Sequence, residues 1–272
     1  MKYMSKSKEK LTRCRLQLYT IYNPVFCLDN GEYFMVQFNG SMVKGVERIT
    51  NEHMTTMCYA GGLMGDEADT IRKVRMKQLV GVGVTNMGAM LIIPELCVLA
   101  LPFLFDWEPE LYYNGKYCEV DYILKKLEPT TRKLVEKRGF EYWGFAETCF
   151  DRIGSQVPIR SVEDFQKLKF WLFRGDRMRP EINKVFGFKK TASGGLFDAA
   201  SMLSVGMIDS CFGGWYMHVI LQWWPHLKYI TDYPVYGYES ASCFINSEFF
   251  KRLAAFGDKW GPRYASRMAQ IS

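Results

Sequence analysis

The stretch MTTMCYAGGLMGDEADTIRKVRMKQLVGVGVT, residues 54–85, decides the fold. Its first seven residues predict a strand, and the glycine-rich turn GGLMGDE leads into a helix with an acidic start and a basic end that suit the helix dipole. The segment VGVGVTNM then predicts a second strand. A strand, a helix and a strand in this order predict a unit of two parallel strands with a crossover helix.

The same alternation extends outward from this unit in both directions. Upstream, CRLQLYTIY predicts a strand and residues 34–50 have apolar side chains at helical spacing. Downstream, a helix over residues 119–137 precedes a second series of strands and helices, in which Ser161 has the pattern of a helix N-cap and Gly187 that of a helix stop. The apolar segment ELCVLALPFLF is expected to be buried. We therefore predict an α/β protein with two mostly parallel sheets and a ligand at the carboxyl ends of the strands.

Composition disfavours several classes of protein. The net charge of +6 comes from 35 basic and 29 acidic residues that are interspersed, which argues against a nucleic-acid-binding surface. The longest apolar stretch, residues 87–105, is interrupted by prolines and a glutamate, so it predicts core segments and not a membrane-spanning helix. Eight cysteines lie at scattered positions without a CxxC pair, and we expect no zinc, other metal or cofactor.

Two motifs suggest catalysis, but each has a simpler explanation. GGLMGDE lacks the Gly-Lys-Ser/Thr ending of a phosphate-binding loop, which favours a tight turn between strand and helix. Asp209, Cys211 and His218 are candidates for a thiol nucleophile and its base, although nothing in their spacing requires it. Cys211 lies beside Phe212 and is expected to be an inert buried thiol. We predict that the protein is not an enzyme.

Six segments in order resemble a known family, the dicarboxylate-type solute-binding subunits of tripartite ATP-independent periplasmic (TRAP) transporters. The resemblance runs from about Gln37 to Phe250. Its segments are VERITN, CYAGGLMGDEADTIRKVRMKQL, GVGVTNMGAMLIIPELCVLALPFLF, GFEYWGFAE, PIRSVEDFQKLKFW and LSVGMID, followed by the strand pair LKYITDYPVY/SASCFINS. None is diagnostic alone, but their order and spacing over more than two hundred residues make chance similarity improbable.

The resemblance implies a two-lobed periplasmic-binding-protein-like fold, with two sheets flanked by helices and joined by hinge strands. The first lobe is expected to hold residues 12–138 and about 228–250, and the second lobe residues 139–227. Residues 251–272 resemble the start of a C-terminal helical region that stops early. The lobes are expected to close around one small molecule, and the closed form to be recognised by the membrane permease subunits. The implied location is the periplasm, although the N-terminus has no apolar segment typical of an export signal.

Three departures from the family's pattern concern the ligand. The arginine that clamps the substrate carboxylate in the family corresponds to Trp171, and a second basic position corresponds to Phe150. The polar residues that follow the Gly-apolar-apolar-Asp motif correspond to Cys211, Phe212 and Gly213. We therefore expect an apolar or amphipathic ligand. The remaining residues predicted to bind it are Trp215, Asn86, Met87, Tyr22 and Tyr236.

Three alternatives stay open at this point. Arg152 or Arg174 could replace the missing clamp, so that the protein binds an organic acid. A thiol or carboxylate enzyme could use Cys211 or Asp209 on the same scaffold. The protein could also be a receptor that has lost transport and only contacts a partner protein, in which case its cleft should be filled by its own side chains.

Overall fold

The computed structural model describes residues 14–20, 54–59, 62–105 and 119–252, and within them it has two five-stranded sheets. The first sheet has the order β2-β1-β3-β10-β4, and its strands are β1 (Cys14–Thr20), β2 (Met54–Tyr59), β3 (Gly81–Thr85), β4 (Phe140–Phe150) and β10 (Tyr238–Asn246). The second has the order β7-β6-β8-β5-β9, and its strands are β5 (Arg152–Ser155), β6 (Lys169–Phe173), β7 (Lys190–Gly194), β8 (Ser210–Gly213) and β9 (Tyr229–Ile230).

Both sheets are mixed. In the first sheet β1 pairs in parallel with β2 and β3, whereas β10 runs antiparallel to β3 and β4. In the second sheet β6 pairs in parallel with β7 and β8, whereas β5 runs antiparallel to β8 and β9. The predicted fold class, with two mixed or mostly parallel sheets, is therefore confirmed.

Local sequence signals place the helices of the first sheet. These are α1 (Glu67–Arg75), α2 (Asn86–Ile92), the 3-10 helix Pro94–Ala100 and α3 (Glu119–Glu136). Asp66 caps α1 by accepting from the backbone N–H of Glu67, and the acidic first turn and basic last turn are as predicted. Thr85 accepts from the N–H of Gly88 and so begins α2. Asn86 and Met87, expected at the end of a strand, are therefore helical.

The second sheet carries α4 (Val162–Lys167), α5 (Arg179–Phe186), α6 (Asp198–Ser204), α7 (Trp215–Ile220) and the 3-10 helix Trp224–His226. The predicted N-cap is confirmed, because Ser161 Oγ accepts from the N–H of Asp164 at 3.2 Å. The predicted stop at Gly187 is confirmed too, since this residue ends α5 in the left-handed conformation at φ +80°. LKYITDYPVY, expected to be a long strand, forms only the two residues of β9.

Within residues 119–252 the chain passes between the sheets twice. The first crossing is at Asp151, between β4 and β5, and the second lies between β9 and β10. The N–H of Asp151 donates to the Gly237 carbonyl at 3.0 Å, which joins the two crossings. A Cβ at Gly237 would lie 2.4 Å from the backbone carbonyl carbon of Ala100, so glycine is required for this close approach. On the second-sheet side, the N–H of Thr231 donates to the Ile153 carbonyl at 2.9 Å.

We call the first sheet with α1–α3 the first lobe, and the second sheet with α4–α7 the second lobe. Sequence analysis put residues 140–150 in the second lobe and residues 229–230 in the first, but β4 pairs within the first sheet and β9 within the second. We therefore propose that the lobes divide at Asp151 and within residues 231–237.

Most core residues of the two lobes belong to one continuous apolar cluster, which includes Val82, Met87, Phe170 and Phe212. A smaller cluster joins α3 to the start of β10 through Leu124, Phe150 and Tyr238. The segment ELCVLALPFLF is only partly buried, since Phe103 and Leu104 are exposed. No helix among the described residues is long and apolar enough to cross a membrane. The helix predicted at 34–50 and most of the C-terminal region at 251–272 lie outside those residues.

Candidate functional site

Two buried carboxylic acids mark the place where the chain passes between the lobes. Asp151 lies on the first crossing, and Glu239 is the second residue of β10, directly after the other crossing. Neither side chain is exposed. Glu239 accepts from the backbone N–H of Asn86 in the first lobe and forms a side-chain hydrogen bond with Asp151. The pair therefore connects both crossings with α2.

Arg179, the first residue of α5, brings a positive charge to this pair. Its guanidinium donates to Asp151 Oδ2 at 2.8 Å and to Asp176 Oδ2 at 2.9 Å, and all three side chains are fully buried. Asp176 also accepts from the N–H groups of Met178 and Arg179, which fixes the start of α5. Two carboxylates and well-formed hydrogen bonds offset the desolvation of the arginine.

Burial keeps part of the cluster uncharged. It raises the pKa of Asp151 to about 6 against the opposing effect of Arg179, and it raises the pKa of Glu239 well above its ordinary value with a further contribution from Asp151. Burial also raises the pKa of Glu67 in α1 to about 8, although Thr85 donates to it from its N–H and its hydroxyl. For Arg179, burial acts to lower the pKa, but Asp151 and Asp176 raise it above its ordinary value. At neutral pH the cluster thus holds one guanidinium and both charged and protonated carboxyl groups.

An aromatic wall lies against the guanidinium. The Arg179 guanidinium carbon is 4.0 Å from the centre of the Phe212 ring, a cation–π contact. The centre of the Phe212 ring lies 5.3 Å from that of Trp171 and 5.3 Å from that of Tyr236. Tyr236 hydrogen-bonds through its hydroxyl to Asn183 Oδ1, which ties the wall to α5. The wall therefore joins the second sheet, α5 and the second crossing.

Several buried polar atoms of this region have no hydrogen-bond partner within the described part of the chain. They include Trp171 Nε1, Trp223 Nε1, Arg179 Nε, Asn183 Nδ2, Asn86 Oδ1 and Asp151 Oδ1. The first three nitrogens can only donate. A buried donor without an acceptor costs about 1–3 kcal/mol, so their grouping around Phe212 and Trp171 is unusual.

The two lobes also touch on the side of α1 and α6. Gly62, before α1, packs directly on Phe197, because a Cβ there would lie 2.9 Å from the Phe197 ring. Asp66 also packs on Gly195, because a Cβ on Gly195 would lie 2.5 Å from Asp66 Oδ2. Burial raises the pKa of Asp66, and a hydrogen bond from the backbone N–H of Leu196 partly offsets this rise. The two lobes are thus in direct contact on this side.

The structure brings some of the predicted ligand-binding residues together and separates others. Trp171, Phe212 and Tyr236 form the aromatic wall, and Cys211 and Gly213 are buried beside it in β8. Asn86 and Met87 are buried in α2 of the first lobe, where Asn86 Nδ2 donates to the Tyr238 carbonyl at 2.9 Å.

Two predicted residues lie apart from this wall. Phe150 packs against Tyr238 at 5.2 Å in the smaller apolar cluster. Trp215 is 60% exposed at the start of α7. Tyr22 lies outside the described residues.

The arginine in the cluster is neither Arg152 nor Arg174, the two that the sequence suggested as a clamp. Arg152 donates to the Thr231 carbonyl at 3.0 Å and lies 3.8 Å from Asp232, and Arg174 is paired at 3.1 Å with Asp198 near the surface. Arg179 was missed. Asp176 lies three residues before Arg179, and Pro180 follows Arg179 directly. This pattern indicates the start of a helix, but it does not indicate that the arginine is buried.

The residues proposed for a thiol enzyme are not arranged for catalysis. Burial raises the pKa of Cys211 well above its ordinary value, which keeps the thiol protonated. Asp209 accepts from the N–H of Lys169 at 2.7 Å, and His218 Nδ1 lies 3.0 Å from the Gly214 carbonyl. Burial lowers the pKa of His218 to about 4. Each group is thus used within the fold. In the described ranges, no three His, Cys, Asp or Glu side chains are grouped to hold a metal.

Comparison with known proteins identifies the family and the fold of the chain. The family model of the bacterial extracellular solute-binding proteins, family 7 (DctP), matches residues 34–189. A TRAP periplasmic solute-binding protein from Xanthobacter autotrophicus Py2 with bound β-D-galacturonate has a similar structure, with a TM-score of 0.77 and 16% identity over 94% of this chain and 77% of that chain. One from Sulfurospirillum deleyianum DSM 6946 with bound succinate has a TM-score of 0.74 and 17% identity, over 95% and 77%.

A third structure, an extracytoplasmic solute receptor from Bordetella pertussis that binds pyroglutamic acid, has a TM-score of 0.75 and 14% identity over 93% of this chain and 75% of that chain. At these identities the likenesses establish the fold. No curated protein sequence matches the chain.

Proposed function

Since the chain belongs to the bacterial extracellular solute-binding proteins, family 7, we propose that it captures a small apolar or amphipathic ligand between its lobes and delivers it to the membrane subunits of a TRAP transporter. The predicted family and two-lobed fold are confirmed. The protein is a periplasmic solute-binding subunit and not an enzyme.

The observation that carries the choice of ligand is the pairing of Arg179 with two protein carboxylates. The structural neighbours bind galacturonate, succinate and pyroglutamic acid. A dicarboxylate would need basic groups that are free to bind it, but Arg179 already donates to Asp151 and Asp176. Trp171 offers a single N–H and no charge.

The aromatic wall supports an apolar contact surface for the ligand. Trp171, Phe212 and Tyr236 are each at most 1% exposed in this structure. A ligand that fills the cleft in the open form would gain about 0.8 kcal/mol for each methylene group buried against these rings. Because this gain is made only when both lobes cover the ligand, binding would shift the population toward the closed form. The closed form is the one that we expect the permease to recognise.

Calorimetry and native mass spectrometry test this function. Protein purified under gentle conditions should carry a small apolar or amphipathic molecule that native mass spectrometry detects and identifies. The same protein, freed of that molecule, should give no heat with succinate and measurable heat with the recovered compound. Micromolar binding of succinate would contradict the proposal and return attention to Arg152 and Arg174.

A second candidate is a receptor that no longer transports a solute. It is favoured by the direct packing of these side chains on one another, since Arg179 lies on Phe212 and Phe212 contacts both Trp171 and Tyr236. For this candidate native mass spectrometry should find no bound molecule, and small-angle scattering should give the same radius of gyration whatever compound is added.

A further inference from the structure

Three buried nitrogens that can only donate a hydrogen bond lie around the aromatic wall without an acceptor in the described part of the chain. They are the indole nitrogens of Trp171 and Trp223 and Nε of Arg179. Trp171 and Arg179 both contact the ring of Phe212, and Trp223 contacts Trp171 with the ring centres 5.4 Å apart. All three side chains are fully buried.

The cost of these donors depends on whether the lobes are open or closed. When the lobes separate, water can reach the cleft and accept from a donor that faces it. When they close without a ligand, the donors lose water and gain nothing, which disfavours the closed form. A ligand with an oxygen acceptor would remove that penalty, and so favour closure by more than its apolar contacts alone.

The charges around the donors limit what can carry this oxygen. A carboxylate would be added to Asp151 and Asp176, which already share the single guanidinium of Arg179. A cationic ligand would approach Arg179, which stays charged, and it would bring no acceptor. An uncharged carbonyl oxygen meets neither objection.

On the basis of the proposed function, we infer that the ligand is a neutral amphipathic compound whose polar end is a carbonyl group of the amide type. The carbonyl oxygen accepts from the indole of Trp171 and from Arg179, and the apolar body lies against Phe212 and Tyr236. The donors would then distinguish this ligand from a hydrocarbon of the same shape, because only the carbonyl compound satisfies them.

Four probes with the same phenyl body and different polar ends test the inference on the full-length protein at neutral pH. They are phenylacetamide, phenylacetate, phenethylamine and ethylbenzene, with affinities measured from tryptophan emission and calorimetry. We expect phenylacetamide to bind at least about fivefold more tightly than each of the others, as one hydrogen bond to a buried donor predicts.

Trp171→Phe keeps a ring in the wall and removes the donor. It should weaken the binding of phenylacetamide at least about fivefold more than it weakens the binding of ethylbenzene. Trp224→Phe is the matched control, because Trp224 is 60% exposed and lies outside the wall, and it should change neither affinity. If Trp171→Phe fails to fold, the ranking of the four probes on the unmodified protein still decides the question.

Each other outcome overturns the inference in a recognisable way. Phenylacetate or phenethylamine binding as tightly as the amide would show that the polar end is charged. If ethylbenzene binds as tightly as the amide, the carbonyl acceptor contributes nothing and the inference fails. The proposed function, which requires only an apolar ligand, would still stand. Binding of none of the four overturns the inference too, and tight binding of succinate in the same assay would show that the proposed function itself has failed.

Discussion

Arg179 and Asp151 form a fully buried ion pair, with guanidinium nitrogen and carboxylate oxygen 2.8 Å apart. Asp151 belongs to the crossing between the lobes and Arg179 to a helix of the second lobe. The pair therefore fixes α5 against the hinge. Its value to the fold depends on both partners, since either charge alone would be buried without compensation.

Removing this arginine should strongly destabilise the protein. Arg179→Met keeps much of the side-chain volume but leaves Asp151 and Asp176 buried without their partner, and we expect a loss of about 3–5 kcal/mol in the free energy of unfolding. Urea denaturation followed by circular dichroism measures it. Arg174→Met is the control, because Arg174 and Asp198 are mostly exposed, and it should cost at most about 1 kcal/mol. Equal losses for the two variants would contradict the assigned role.

Stability should fall as the pH rises through the range in which Glu67 ionises. Burial raises the pKa of Glu67 from 4.5 to about 8, so the folded protein binds this proton more tightly than the unfolded chain does. Folding is then favoured at low pH and loses up to about 1.4 kcal/mol per pH unit between about 4.5 and about 8.

Glu67→Gln should reduce that slope, because an amide does not ionise. The slope should not vanish, since burial also raises the pKa values of Asp151 and Glu239. Thermal melts at several pH values measure the effect. Glu181→Gln, on the exposed side of α5, is the control and should behave like the unmodified protein. The same slope in Glu67→Gln as in the unmodified protein would rule Glu67 out as the source.

A side chain at position 62 should hold the lobes apart. In this structure a Cβ on Gly62 would lie 2.9 Å from the Phe197 ring, across the contact between the lobes. We expect Gly62→Ala to disfavour closure by about 1–3 kcal/mol, the usual cost of an overpacked contact. Small-angle scattering should give a larger radius of gyration for this variant.

Gly206→Ala provides a matched control for this variant. Gly62 and Gly206 have similar backbone angles, with φ +78° and φ +69°, but a Cβ on Gly206 meets nothing within 4 Å. Both substitutions therefore have a similar conformational cost in the backbone, and only Gly62→Ala adds a clash between the lobes. An increase in the radius of gyration for both, or for neither, would refute the role given to Gly62.

Cys211 should be inert in the folded protein. Its thiol is fully buried, and burial raises its pKa well above the ordinary value, so little thiolate is available for reaction. We expect iodoacetamide to modify it at least about tenfold more slowly than the half-buried Cys97, as measured by peptide mass spectrometry. Fast and selective labelling of Cys211 would revive the enzyme alternative.

Local signals predicted much of the fold. The strand at Cys14–Thr20, the cap at Ser161 and the stop at Gly187 depend on residues that are close in sequence, and the structure has all three. The prediction of a long strand over LKYITDYPVY was wrong because this segment passes between the lobes. Only Tyr229 and Ile230 pair with a neighbouring strand, β5. Pairing in a sheet depends on the partner strand as well as on the sequence of the strand itself.

The site was harder to predict because it is assembled from distant segments. Arg179 meets Asp151, which is 28 residues earlier, and the ring of Phe212, which is 33 residues later. No local pattern indicates that a helix-initiating arginine will be buried between them. Trp215, also predicted to bind the ligand, is exposed at the start of α7, which buries Met217, His218 and Ile220 instead.

The tight fit of Gly237 against Ala100 determines where the molecule can bend. Gly237 is held to the first lobe by this fit and to Asp151 by a hydrogen bond, while Thr231 is held to β5 of the second lobe. Rotation on the second crossing must therefore be absorbed by residues 232–236. On the first crossing it must pass through the link between Asp151 and Ile153. We therefore expect the lobes to turn about the short link between Asp151 and Ile153.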